Sequence, residues 1–226
     1  MALELHMHPL SSYCWKVLIA LYELGAPFEP VTVNLGDPEA RAAFRSLSPF
    51  CKIPALRDTG RGAGVFETSI IIEYLDQNYP GPARLIPDEA EQALEVRLWD
   101  RVFDLNLHNV FQQIIGDRLR GEGQRDPTGV AQARAKIRET FAVIEQRLAG
   151  RTWAAGEAFS MADCAAAPAL FYSALTEPLD AFPVTAAYRQ RLLDRPSVAR
   201  AIREATPFFR MFPGTEEERA RMPVHP

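Results

Sequence analysis

The residues Ser11-Ser12-Tyr13-Cys14-Trp15-Lys16 carry the densest chemistry of this chain. They follow an alternating strand pattern and open a helical one, so two hydroxyls and a thiol fall at a helix N-terminus. Unpaired N–H groups there, with about half a positive charge, favour an anion. A thiolate is such an anion, and thiol pKa values fall at helix starts. The layout is that of C-x-x-C opening a helix, with Ser11 where the first cysteine would stand. Such a turn can hold another molecule's thiolate but cannot close an internal disulfide. The pattern points to a protein that binds and activates a small external thiol. Lowering a thiol pKa by two units takes about 2.7 kcal/mol, the scale of one charge-assisted hydrogen bond plus the helix dipole. Ser11, Ser12 and Tyr13 are the candidate donors, although serine also suits plain capping.

The elements that position this turn follow two grammars. Leu3, Leu5 and Met7 alternate with Glu4, His6 and His8, the period of a strand. Val17, Leu18, Leu21 and Leu24 then recur at helical spacing, with Gly25 as a stop signal. A second strand is predicted over 30–34 and a helix over 37–47, followed by short strands at 53–56 and 64–66 around a Gly-rich turn. Glu67-Thr68-Ser69 opens a further helix over 70–79. The order βαβαββα allows the first two strands to be parallel through a right-handed crossover and the last two to form a hairpin. Pro80, Pro82 and Pro87 mark a linker, and beyond it only helical patterns occur. Leu94, Leu98, Val102 and Leu105 stripe a long helix ending near Gly121; Ile137, Phe141, Ile144 and Leu148 stripe a second over 127–148. Shorter helices are predicted at 161–175, 185–193 and 197–205, then an irregular tail. The expected architecture is α/β plus all-α: a domain at 1–80, a linker at 81–87, and an all-helical domain at 88–226.

Composition narrows the function classes. A net charge of −4 over 226 residues argues against nucleic acid or an anionic membrane surface as partner. Cys14, Cys51 and Cys164 are odd in number and widely spaced, so neither a disulfide framework nor a metal site is expected, and a reducing, cytoplasmic setting is. The first residues lack a basic region followed by an apolar run, and no stretch approaches the ~18 apolar residues of a membrane span.

This two-part plan resembles the soluble glutathione transferases, and within them the bacterial serine-type enzymes related to the theta, zeta and beta groups. Four segments carry the resemblance: the strand followed by Ser11-Ser12-Tyr13-Cys14; Lys52-Ile53-Pro54-Ala55-Leu56; Glu67-Thr68 before a helix; and Ser160-Met161-Ala162-Asp163. The resemblance implies a thioredoxin-like N-terminal domain that binds glutathione as co-substrate, and a helical domain that contributes the electrophile site. It implies that Ser11 stabilises the glutathione thiolate, with Ser12 as the rival hydroxyl and Tyr13 third. It also implies a cis bond before Pro54, which would turn the Ile53 backbone outward to pair with the cysteinyl part of glutathione. Glu67 would meet the γ-glutamyl ammonium, Thr68 the γ-glutamyl carboxylate and Lys52 the glycyl carboxylate. Ser160 and Asp163 read as a helix-capping box, and His6, His8 and His108 as ordinary surface or core residues. Phe103, Leu107 and Phe111 share a helical face and Phe208, Phe209 and Phe212 crowd the tail, where an apolar electrophile could lie. The expected protein is a homodimeric glutathione transferase acting on an apolar electrophile. The alternatives are a glutathione-dependent isomerase, dehalogenase or ether-cleaving enzyme, and a non-catalytic binding relative.

Overall fold

A computed structural model describes residues 2–223; residues 224–226, the end of the tail expected to be irregular, lie outside it. The α/β unit runs β1 (Leu3–Met7), α1 (Ser12–Leu24), β2 (Phe28–Thr32), α2 (Pro38–Phe44), β3 (Ala55–Asp58), β4 (Ala63–Phe66) and α3 (Thr68–Asn78). Its sheet has the order β2-β1-β3-β4, with β1 and β2 parallel and the other pairings antiparallel. This is the thioredoxin-like arrangement. Leu3, Leu5 and Met7 all face inward, as their alternation requires.

The helical unit runs α4 (Ala90–Arg101), a π-helical segment (Val102–His108), α5 (Asn109–Arg118), α6 (Pro127–Leu148), α7 (Met161–Thr176), α8 (Pro183–Asp194) and α9 (Pro196–Ala205). The tail is more ordered than expected: a 3-10 turn (Thr206–Met211) precedes α10 (Glu216–Ala220). Thr215 and Glu218 form a capping box, and Glu218 binds Arg118 in two bonds of 2.7 Å, which ties the tail to α5.

One apolar cluster runs through both units, with Trp15 of α1 packed among Phe171, Tyr172 and Phe209. Gly81 lets the connection lie against α1, because a Cβ there would come within 1.8 Å of the Leu24 carbonyl oxygen. α4, the π segment and α5 continue one another as a long helix. Its buried face carries Val96, Trp99, Phe103, Leu107 and Phe111. The stripe of Leu94, Leu98 and Leu105 points outward instead, with Leu94 67 % and Leu98 56 % exposed.

Asp163 sets the start of α7. Its buried carboxylate accepts from the Ser160 N–H at 2.9 Å, the Ala154 N–H at 3.0 Å and the Tyr188 hydroxyl at 2.5 Å. Burial raises its pKa while these bonds oppose the rise. Tyr188→Phe removes one bond to this charge and should cost about 2 kcal/mol, read as a lower urea midpoint with unchanged slope.

Candidate functional site

The turn at the end of β1 is held from three sides. The Trp15 indole N–H donates to the Pro9 carbonyl at 2.6 Å, the Tyr172 hydroxyl to the Leu10 carbonyl at 2.9 Å, and the Ser11 N–H to the His8 carbonyl at 2.9 Å. Ser11 is the N-cap residue of α1, yet its side chain makes no capping bond. Plain capping therefore does not account for its hydroxyl. The neighbouring Cys14 is fully buried, and burial pushes its thiol up to about 12 against hydrogen bonds from Ser11 and the His8 backbone. Cys14 is an inert core thiol at neutral pH.

The other two hydroxyls of the turn are engaged. Ser12 is buried, and its Oγ lies 2.6 Å from His108 Nε2. Gln112 Nε2 approaches the same His108 nitrogen at 3.2 Å and Ser12 Oγ at 3.4 Å. With two donors converging on Nε2, the imidazole accepts there and carries its proton on Nδ1, which has no partner among the described residues. Burial first, and then Lys16, lower the His108 pKa to about 3, so the ring is neutral. Tyr13 stands edge-on to His108 with ring centroids 4.4 Å apart and donates its hydroxyl to Asn109 Oδ1. Burial raises the Tyr13 pKa, so the phenol stays protonated.

The hairpin brings the remaining candidates together. Ala55 pairs with Phe66, so Pro54 and Glu67 are the next residues outward at the open end of β3 and β4. The Ile53–Pro54 bond is cis. Ser48 orders the approach to it, donating to the Lys52 carbonyl at 2.9 Å and accepting from the Lys52 N–H at 3.2 Å. Glu67 caps α3 with φ +70° and ψ 119°, a conformation that costs a non-glycine residue about 1–3 kcal/mol. Such strain persists where the surroundings hold it and is concentrated at ligand sites. The Glu67 side chain is exposed, and Thr68 opens the helix beside it.

Lys52, Ile53, Pro54, Glu67 and Thr68 line one cavity of about 460 Å³, together with Tyr13, Asp104, Asn109 and Gln112. Ser11 and Ser12 line a smaller adjoining cavity of about 190 Å³, walled by Phe111, Tyr172 and Phe212. Tyr13 and Gln112 border both. The turn thus stands at a junction: five of the seven sequence-predicted residues share the larger space and the two serines face the smaller.

Beneath the larger cavity is a charge cluster that sequence reading missed. Lys16, 1 % exposed, lies 2.5 Å from Asp100 Oδ1 and 2.7 Å from Asp104 Oδ2, and donates to Ser69 Oγ at 2.9 Å. Arg101 pairs with both aspartates. Burial raises the Asp104 pKa, against the pull of Lys16. A signal for this face existed: Arg101, Asp104, His108 and Gln112 recur at helical spacing, between the apolar positions. The π segment turns Asp104 and His108 together toward α1, its geometry marked by the Asn109 N–H bonding to the Asp104 carbonyl. Among the described residues no three His, Cys, Asp or Glu side chains converge as metal ligands, and no helix is long and apolar enough to cross a membrane.

Comparison with known proteins matches residues 5–83 to the glutathione S-transferase N-terminal domain and residues 127–191 to the glutathione S-transferase C-terminal domain. The chain is 29 % identical to the glutathione S-transferase-like protein OpS6 of Beauveria bassiana, over 87 % of this chain and 92 % of that one. It is 33 % identical to FtsZ-localized protein A of Caulobacter vibrioides, over 72 % and 73 % of the two chains. A solved glutathione S-transferase of Methylobacterium radiotolerans, in complex with glutathione sulfonate, is 30 % identical with a TM-score of 0.77. That match covers 88 % of this chain and 93 % of the other.

Proposed function

The chain belongs to the glutathione S-transferase family, and we propose that it is a cytoplasmic transferase that holds glutathione as a thiolate and joins the sulfur to an apolar electrophile. One observation carries this reading: Lys52, Ile53, Pro54, Glu67 and Thr68 border a single cavity that meets the Ser11 turn. The exposed Glu67 carboxylate pairs with the γ-glutamyl ammonium, and the Thr68 hydroxyl and N–H at the start of α3 bind the γ-glutamyl carboxylate. The cysteinyl backbone adds as a strand beside Ile53, and Lys52 meets the glycyl carboxylate. This places the sulfur at the junction of the two cavities, within the field of the α1 N-terminus, with Ser11 as its hydroxyl donor. The electrophile occupies the smaller, aromatic-walled cavity.

The test is calorimetry with reduced glutathione beside conjugation to a panel of aryl and alkyl halides. Turnover above background supports the transferase. Binding without turnover moves the assignment to a glutathione-dependent isomerase or lyase. Absence of both binding and turnover would favour a non-catalytic role, the reading to which the relative named for its localisation to FtsZ lends support.

The partner in this reading is a second copy of the chain. Leu94, Leu98 and Leu105 on the long helix, with Ile70 on α3 and Phe50 before β3, are all more than half exposed. Apolar side chains grouped along one helix mark an interaction surface. Leu98→Glu should turn a dimer into a monomer in sedimentation equilibrium; a wild-type monomer would refute the dimer.

A further inference from the structure

The start of α1 offers a sulfur two serine hydroxyls, and the structure treats them differently. Ser11, the N-cap, and Ser12, the first helical residue, both border the smaller cavity. The Ser11 side chain makes no capping bond, whereas Ser12 Oγ lies 2.6 Å from His108 Nε2 on the π segment. A hydroxyl has one proton and gives it to one acceptor at a time. By sequence His108 is an ordinary core residue, but its contacts are not those of a packing side chain. It is 2 % exposed and neutral, and its Nδ1 has no partner among the described residues. A buried N–H without an acceptor costs stability, so packing gives no reason for a histidine here. The engaged atom is Nε2.

The two neutral forms of the ring have opposite consequences. With its proton on Nε2, the ring would donate to Ser12 and release the serine proton toward the sulfur. The Gln112 NH₂, 3.2 Å from the same nitrogen, opposes that form, because two donors would then face each other. With its proton on Nδ1, the ring accepts at Nε2 from Ser12 and Gln112 together. Ser12 then has only lone pairs left to present, one of them approached by Gln112 at 3.4 Å. Lone pairs repel a thiolate, which leaves the sulfur to Ser11.

We propose that His108 is a positioning residue that takes the Ser12 proton and so reserves the glutathione thiolate for Ser11. This rests on the transferase reading and deepens it by naming the residue that chooses between the two serines. His108 borders neither cavity and acts only through Ser12. Its signature is a gain: in a chain without the Ser11 hydroxyl, removing the acceptor nitrogen frees Ser12 to donate to the sulfur.

The experiment compares wild type, Ser11→Ala, and Ser11→Ala combined with His108→Leu or with His108→Gln. A triple variant adds Ser12→Ala to Ser11→Ala and His108→Leu. Leucine removes the acceptor, and glutamine keeps an acceptor oxygen near the place of Nε2. The thiolate-to-thiol ratio of bound reduced glutathione is read at pH 7 by ultraviolet absorbance. It is normalised to the glutathione bound in the calorimeter, so a misfolded fraction does not enter. Ser11→Ala/His108→Leu is expected to show a ratio about tenfold above that of Ser11→Ala, one charge-assisted bond regained. The glutamine and triple variants are expected to match Ser11→Ala. A purely structural histidine gives no gain that depends on Ser12. A ratio in Ser11→Ala/His108→Leu equal to or below that of Ser11→Ala would overturn the proposal, a fall marking the ring as donor to Ser12. Equal recovery in the glutamine or the triple variant would overturn it as well. A wild-type ratio in Ser11→Ala would overturn it and the role of Ser11, and leave the transferase standing. Wild type that binds no glutathione, or holds it wholly as thiol, would overturn the transferase reading and this one with it.

Discussion

Ser11→Ala is expected to lower turnover at pH 7 by about 10–100-fold, and to lose most of that deficit as the pH is raised. The size follows from the bond removed. A hydrogen bond to a charged group is worth about 1.5–3 kcal/mol, which is one to two units of thiol pKa. The variant keeps the α1 dipole and the backbone N–H groups, so the thiol pKa rises by that amount and no further. At neutral pH less of the bound glutathione is thiolate, and the rate falls in proportion. Above the new pKa the thiol ionises without help, and the rates converge. The same turn contains its own controls. The Ser12 hydroxyl is 2.6 Å from His108 Nε2, and the Tyr13 hydroxyl is given to Asn109, so neither is free to replace Ser11. The competing partner of Ser11 is the Cys14 sulfur, a weak acceptor that an anionic sulfur displaces. The measurement is thiolate absorbance of the enzyme–glutathione complex against pH, alongside kcat. Full turnover at neutral pH would remove Ser11 from the mechanism, and a deficit constant across pH would give it a structural role.

Much of this arrangement is legible where a residue's local periodicity and its tertiary place agree. β1 alternates because one face is covered, and α6 shows Ile137, Phe141, Ile144 and Leu148 because one stripe is. β2 is displaced by two residues from its expected place. Its limits are set by pairing with β1, Leu3 to Phe28 and Met7 to Thr32, and not by the run of valines. Pro30 is tolerated within it because β2 is an edge strand. The long helix shows why function was harder to read than fold. Its most regular leucines face outward, where they serve no core. Apart from Leu105, the residues of this helix bordering the larger cavity are polar ones, Arg101, Asp104, Asn109 and Gln112, and their register is altered by a π segment that spacing at 3.6 residues does not anticipate. Lys16 belongs to the same class. A lysine in the first turns of a helix is ordinarily solvated, and only the arrival of Asp100 and Asp104 from 84 to 88 positions away makes it a buried ion.

Lys16→Met is expected to cost about 3–5 kcal/mol of stability, the scale of removing one partner from a buried ion pair. Methionine fills the volume of the lysine stem, so the loss is electrostatic and not a cavity. What remains is two buried carboxylates sharing Arg101, whose own side chain is 45 % exposed and cannot replace an ammonium between them. The Asp104 pKa is already raised by burial with Lys16 opposing the rise, and without Lys16 it climbs further. The sign of the pH dependence follows. An acid whose folded pKa lies above its unfolded value binds more protons when folded, so its contribution is present below about pH 4 and lost as pH rises through the folded pKa. The variant should therefore recover part of its deficit between pH 7 and pH 4.5, seen as urea midpoints that approach those of wild type. A deficit independent of pH would refute the account. The consequence reaches the ligand site, because Lys16 also donates to Ser69, the residue after Thr68 on α3. The same cluster that joins α1 to the long helix steadies the helix start to which the proposed function assigns the γ-glutamyl group. In the folded fraction of Lys16→Met, glutathione affinity should fall several-fold by calorimetry even though no residue that would touch glutathione has been changed.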